Sequence, residues 1–119
     1  MPEDVTVRED LQVIQVVSHG DITFDDLKTT LKAILRFKEN QGLNKVLVDG
    51  TSAKSYPSKV PVFEFGKQVA ESLRGIMVAI VVTPETRNQS VFFETVARNR
   101  VCDIRTFDTL DAAIAWLDE

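Results

Sequence analysis

The run Ile76-Met77-Val78-Ala79-Ile80-Val81-Val82 decides the fold of this chain. Its seven residues are all apolar, and Gly75 precedes them. A membrane-spanning helix needs about 20 apolar residues, so the run is too short to cross a bilayer. Apolar residues on both faces are typical of a central strand in a parallel sheet, which has helices on both sides. We therefore expect a buried strand here.

Four further stretches have the composition of strands, because they are rich in β-branched residues and short. A break at Glu9-Asp10 separates the first two of them and predicts a hairpin. The third ends in an acid and a glycine, and the last resembles an edge strand. The four stretches are Val5–Arg8, Leu11–Val17, Lys45–Gly50 and Asp103–Phe107.

Helical patterns fill the intervals between these strands. Thr23 is placed to cap a helix, with Asp26 three residues later as in a capping box, and Gly42 is a natural stop. Asp108-Thr-Leu-Asp111 has the same capping pattern, with Asp108 as the expected cap and Asp111 as its partner. Two more helices are predicted over residues 62–73 and 90–100, with loops at Thr51–Pro61 and Thr83–Gln89.

The resulting order of elements is β-β-α-β-α-β-α-β-α. Strands that alternate with helices predict a sheet with parallel crossovers, and the first strand is the antiparallel exception. We predict a single α/β domain over residues 1–119, with a mixed, mostly parallel sheet and packed helices.

Composition narrows the classes of function. The 119 residues have a net charge of −4 and include one Cys and one His. No disulfide can form within the chain, no Cys/His metal site can be assembled, and nucleic-acid binding is not expected. The N-terminus lacks the basic start and apolar run of a signal peptide, so we expect a cytoplasmic protein without a transmembrane segment.

Catalytic and cofactor motifs are absent from the sequence. It contains no phosphate-binding loop, no dinucleotide fingerprint and no Gly-x-Ser-x-Gly elbow, so we expect no cofactor. A hydrolase or transferase would have to use His19, Asp21 or Asp49. The simpler interpretation makes His19 a solvated residue and Cys102 a packing residue. We therefore expect no enzymatic activity.

The segment after the third strand is the strongest candidate for a site. Asp49 closes a buried strand at the carboxyl edge of the sheet, where open α/β folds place their sites. Asp49 could instead bond the amides of Thr51 and Ser52. Hydroxyl groups near a helix start could bind an anion, accept a phosphate or contact a partner, or the segment could be an ordinary loop. The candidates are Asp49, Thr51, Ser52, Ser55, Tyr56 and Ser58.

Two other sets of side chains allow alternative interpretations. Four aromatic residues on two predicted helices could line a pocket or simply fill the core: Phe63, Phe65, Phe92 and Phe93. Four arginines gather in one region and could contact a partner, together with Val91, or pair with Glu94 and Asp103: Arg87, Arg98, Arg100 and Arg105.

Most of the chain resembles the STAS family, and in particular its small bacterial SpoIIAA-like, STAS/SEC14-type members. The resemblance rests on His19–Asp26, Lys45–Asp49, Val78–Val81 and Thr106–Leu117. It implies a non-enzymatic regulatory or protein-interaction module similar to anti-sigma-factor antagonists, with an anti-sigma factor or a kinase as the partner.

The resemblance does not extend to a phosphorylation site. Anti-sigma-factor antagonists have an Asp-Ser-Ser-Gly-like stretch after the third strand, and Asp49–Ser58 lacks it, so no serine takes over that role. Similarity to SEC14-type lipid-binding domains leaves an alternative: a carrier or sensor of a small apolar or anionic, lipid-like ligand. A homodimer through the last strand or an exposed helix face is a further expectation.

Overall fold

A computed structural model describes residues 3–56, 75–88 and 103–118, together with Gln68, Glu71 and Ser72. In these parts of the chain, five strands form one sheet in the order β1-β2-β3-β4-β5. The elements are β1 (Glu3–Arg8), β2 (Val13–Asp21), α1 (Phe24–Gln41), β3 (Lys45–Ser55), β4 (Met77–Val81), β5 (Asp103–Phe107) and α2 (Leu110–Leu117).

The direction of the strands confirms the predicted α/β fold. β1 and β2 form the antiparallel hairpin, and the other neighbouring strands pair in parallel. β4 lies between β3 and β5, where Val78 is opposite Val46 on one side and Ile104 on the other. Ile80 belongs to the core on one face of the sheet and Val81 to the core on the other, as the apolar run predicted.

The first helix follows its sequence signals closely. The Thr23 hydroxyl accepts a hydrogen bond from the Asp26 amide, and the Asp26 carboxylate accepts one from the Thr23 amide. Gly42 ends the helix in the left-handed conformation, and its amide donates to the Lys38 carbonyl. Leu31 and Ile34 are buried in the core cluster of the first sheet face. The helix therefore has both the caps and the buried apolar face that the sequence predicted.

The second helix covers the other face of the sheet. Ala113, Trp116 and Leu117 share a core cluster with Leu47 and Ala79. The helix is eight residues long.

One part of the capping prediction for this helix was wrong. Asp108 is not the cap, because its carboxylate forms an ion pair with Arg87. Thr109 takes the cap position instead: its backbone is extended and its hydroxyl accepts from the Ala112 amide. Arg87 is already helical, where the sequence predicted a loop.

The third strand is longer than predicted. Thr51–Ser55 was expected to be the start of a loop, but these residues continue β3 beside the extended end of β2. Ser52 is opposite His19, and Ser55 is opposite Asp21, with shifts of register between them. Pairing with β2 satisfies the backbone there despite the polar side chains. The remainder of the predicted loop and most of the helices predicted over 62–73 and 90–100 lie outside the described residues.

Replacement of Thr23 by Ala tests the cap of α1. We expect the free energy of unfolding to fall by about 1 kcal/mol, because the Asp26 amide loses its acceptor at the helix start. Urea unfolding followed by circular dichroism measures the change. Thr29→Ala, on the exposed side of the same helix, is the matched control and should stay within about 0.5 kcal/mol of the wild type. Equal losses in the two variants would contradict the cap.

Candidate functional site

The candidate site is built on the carboxyl end of β3. The Asp49 carboxylate accepts two hydrogen bonds from Thr51, one from the amide at 3.1 Å and one from the hydroxyl at 2.7 Å. This agrees with the predicted role of Asp49 in holding the backbone that follows it, although the partner is Thr51 alone and not Ser52. Asp49 and Thr51 therefore shape the end of the strand.

A second carboxylate holds the end of β3 against β2. The Ser55 hydroxyl donates to Asp21 at 2.8 Å, and the Ile22 amide donates to the Ser55 carbonyl at 2.9 Å. Between Thr51 and Ser55, the side chains of Ser52 and Lys54 are exposed, while Ala53 is buried. The result is a short polar surface on a part of β3 that pairs with β2 through two shifts of register.

Tyr56 lies directly over Gly50. A Cβ atom added at Gly50 would be 2.7 Å from the Tyr56 hydroxyl and 2.7 Å from the Val81 carbonyl oxygen. Such distances are shorter than van der Waals contact, so the site needs glycine. Burial raises the pKa of the Tyr56 phenol; a hydrogen bond with Ser18 opposes this effect, and the negative charges of Glu3 and Asp49 add to it.

A buried acid behind this site was missed from the sequence. Glu3 is only 8% exposed, and it accepts hydrogen bonds of 2.6 Å from the hydroxyls of Ser18 and Thr30. Burial raises the pKa of the Glu3 carboxyl, although the two hydroxyl donors oppose that shift. The strand period contained the signal, because Glu3, Val5 and Val7 share one face and the two valines pack on the core.

The three residues considered for catalysis do not converge. His19 is on the exposed surface and lies 3.4 Å from Asp4 rather than beside Asp21. The Asp21 carboxylate accepts a hydrogen bond from the Ser55 hydroxyl, and the Asp49 carboxylate accepts one from the Thr51 hydroxyl. In the described parts of the chain, no group of three His, Cys, Asp or Glu side chains could hold a metal ion.

The two described arginines of the predicted set, Arg87 and Arg105, form ion pairs. Arg105 is 3.6 Å from Asp103, as one of the two interpretations predicted, and its guanidinium lies 5.2 Å from the centre of the Trp116 ring. Arg87 pairs with Asp108. Other predicted site residues lie outside the described residues: Ser58, Phe63, Phe65, Val91, Phe92, Phe93, Glu94, Arg98, Arg100 and Cys102.

A small cavity lies beside α2, between Leu11, Val13, Ile114, Leu117 and Asp118. Its volume of about 20 Å³ is enough for about one water molecule. Small-molecule sites occupy about 300 Å³ or more, so this cavity is too small for the small apolar ligand of the alternative interpretation. Across the ranges that the structure describes, no helix is long and apolar enough to cross a membrane.

Comparison with known proteins identifies the family. The SpoIIAA-like family model matches residues 13–118, from the start of β2 to the end of α2. The chain belongs to the SpoIIAA-like family. This confirms the resemblance drawn from the sequence. Among curated proteins, none matches this chain.

Solved structures share the SpoIIAA-like fold. The anti-sigma factor antagonist SpoIIAA in its unphosphorylated form aligns with a TM-score of 0.63 at 6% identity, over 92% of this chain and 91% of that one. A candidate anti-sigma factor antagonist from Thermotoga maritima aligns with a TM-score of 0.63 at 15% identity, over 98% and 95%. An uncharacterized protein with a SpoIIAA-like fold from Shewanella loihica aligns with a TM-score of 0.59 at 16% identity, over 97% and 91%.

Replacement of Gly50 by Ala tests the packing of the candidate site. We expect a loss of about 1–3 kcal/mol in the free energy of unfolding, because the added methyl group collides with the Tyr56 hydroxyl and the Val81 carbonyl. Adding Tyr56→Phe should make the combined loss smaller than the sum of the two single losses, since one of the colliding atoms is gone. Urea unfolding measures all three variants. Strict additivity would contradict the close approach.

Proposed function

We propose that this chain is a non-enzymatic regulatory module that binds a protein partner through the end of β3, a surface formed by Thr51, Ser52 and Lys54. One observation carries the proposal: these three side chains are exposed on β3 where it runs beside β2, and Asp49 and Asp21 accept hydrogen bonds from the same stretch of β3. A fixed polar surface favours recognition, because little side-chain and backbone freedom is lost on binding.

Membership of the SpoIIAA-like family supports this proposal. Two of the proteins with the same fold are an anti-sigma factor antagonist and a candidate for that role. By analogy, we propose an anti-sigma factor or a related kinase as the partner. This step rests on similarity of fold, and the site on this chain is argued from its own residues.

The same contacts bear on phosphorylation. The Thr51 hydroxyl donates to Asp49, and the Ser55 hydroxyl donates to Asp21. A phosphate on either hydroxyl would meet a carboxylate and be repelled. Ser52 is exposed, and its side chain forms no hydrogen bond with the described residues, so it is the described hydroxyl that we propose as a modification site.

Reversal of the Lys54 charge tests the proposed surface. The tagged chain is used to recover its partner from the source cells, and the affinity of each variant for that purified partner is then measured by calorimetry. We expect Lys54→Glu to weaken binding by about tenfold or more, because it replaces the positive charge of the proposed surface with a negative one. Lys32→Glu, an exposed charge reversal on α1, is the matched control and should bind as the wild type does.

Two outcomes would contradict the proposal. One is a wild-type chain that recovers no stoichiometric protein partner. The other is a Lys54→Glu variant that binds as tightly as Lys32→Glu. Native mass spectrometry of the same preparation tests the other expectations from the sequence: a retained small molecule would favour the ligand carrier, and a doubled mass would favour the homodimer.

A further inference from the structure

The buried carboxyl of Glu3 connects three elements. Glu3 lies on β1, Ser18 on β2 and Thr30 on α1, and the two hydroxyls donate to separate oxygens of Glu3 at 2.6 Å. Ser18 and Thr30 are 0% and 9% exposed, so solvent is nearly excluded from the cluster. The Ser18 hydroxyl and the charge of Glu3 both act on the pKa of the Tyr56 phenol, which follows β3. One acid thus joins the edge strand to the candidate site.

Within the described parts of the chain, the groups that act on Glu3 include no compensating cation. These groups are Ser18 from β2, and Thr30 and Asp26 from α1, and the charge of Asp26 opposes ionisation. Tyr56 lies on the β3 side, and the negative charges of Glu3 and Asp49 raise its pKa. An ionised Glu3 is therefore a buried charge that two neutral hydroxyls solvate only in part.

Protonation changes what this cluster can bond. A neutral carboxyl can donate one hydrogen bond and accept another, and a hydroxyl can exchange roles with it, so every polar atom stays satisfied. Ionisation leaves the hydrogen bonds possible but adds the cost of a charge without water. In the described sheet, β1 is the strand at one edge and pairs with β2, so it is the element that can move to admit water.

We propose that Glu3 is a proton-sensitive latch: its neutral form holds β1, β2 and α1 together with Tyr56 seated over Gly50, and its ionisation loosens β1 and the Tyr56 end of β3. The device belongs to the folded chain itself. It stands whether or not the surface at the end of β3 binds a partner, because its readouts need no partner.

The test uses the single tyrosine of the chain. Protein labelled with ¹³C at tyrosine and glutamate is titrated by NMR from about pH 4 to about pH 8, a range that spans a glutamate with a raised pKa. We expect the Tyr56 ring signals to shift with the same midpoint as the Glu3 carboxyl, above the ordinary value of 4.5. In Glu3→Gln, the Tyr56 shift should disappear. Glu9→Gln, an exposed acid removed in the same way, should keep it.

Thermal unfolding gives a second readout with a definite sign. The folded pKa of Glu3 is raised, so the folded state binds the proton more tightly than the unfolded state does. The stabilising effect of the bound proton is complete below the pKa of Glu3 in the unfolded state. It is lost as the pH rises through the pKa of Glu3 in the folded state. The Tm of Glu3→Gln should therefore gain several degrees relative to the wild type over that interval.

Several results would overturn the latch. One is a set of Tyr56 ring signals that stay constant while the Glu3 carboxyl titrates. Another is a Tyr56 shift that is the same in Glu3→Gln and the wild type. If Glu3→Gln does not fold, the wild-type titration decides alone: unequal midpoints for Glu3 and Tyr56 reject the proposal, and a shared midpoint supports it.

Discussion

The structure depends on the burial of β4 from both sides. No face of this strand is open to water, since Val78 and Ile80 belong to one core cluster and Ala79 and Val81 to the other. A sheet whose centre is apolar on both faces must have layers packed on each side. α1 contributes to one of these layers and α2 to the other. Among the described residues, the polar candidates for a site are therefore restricted to the carboxyl end of β3, beyond this apolar centre.

This restriction explains the character of the candidate site. At the carboxyl end of β3, each acid is engaged by a neighbouring hydroxyl: Asp49 by Thr51, and Asp21 by Ser55. Tyr56 closes the space over Gly50, where no other residue type fits. These contacts fix the backbone and leave Ser52 and Lys54 exposed. The chemistry favours a surface that is recognised, as we propose, over one that transforms a substrate.

The sequence predicts the parts of the fold that depend on repeating patterns. An apolar run identified β4, a strand-like composition identified β5, and the capping box at Thr23 identified the start of α1. The sequence prediction was wrong where a contact between residues distant in the chain determines the local structure. Thr51–Ser55 has a loop composition, but pairing with β2 makes it a strand. Asp108 has the chemistry of a cap, but Arg87 binds it.

The same distinction applies to the site. Asp49 was identified from its position at the end of a buried strand, whereas Glu3 was missed because its burial requires Ser18 and Thr30 from distant parts of the chain. A single acid near a chain start has an ordinary exposed interpretation. Only the alternation of side chains along β1, which places Glu3 on the same face as Val5 and Val7, indicated that this acid is buried. Hydrogen bonds between side chains far apart in sequence are the information that a pattern does not contain.

The central claim is that the end of β3 is a fixed platform, and amide hydrogen exchange tests it most directly. We expect amides donated into the β2–β3 pairing near Ser52 and Ser55, including that of Ile22, to exchange as slowly as those in the first half of β3. Exchange at the rate of an open loop for these amides, beside slow exchange at Val46 and Leu47, would contradict the account.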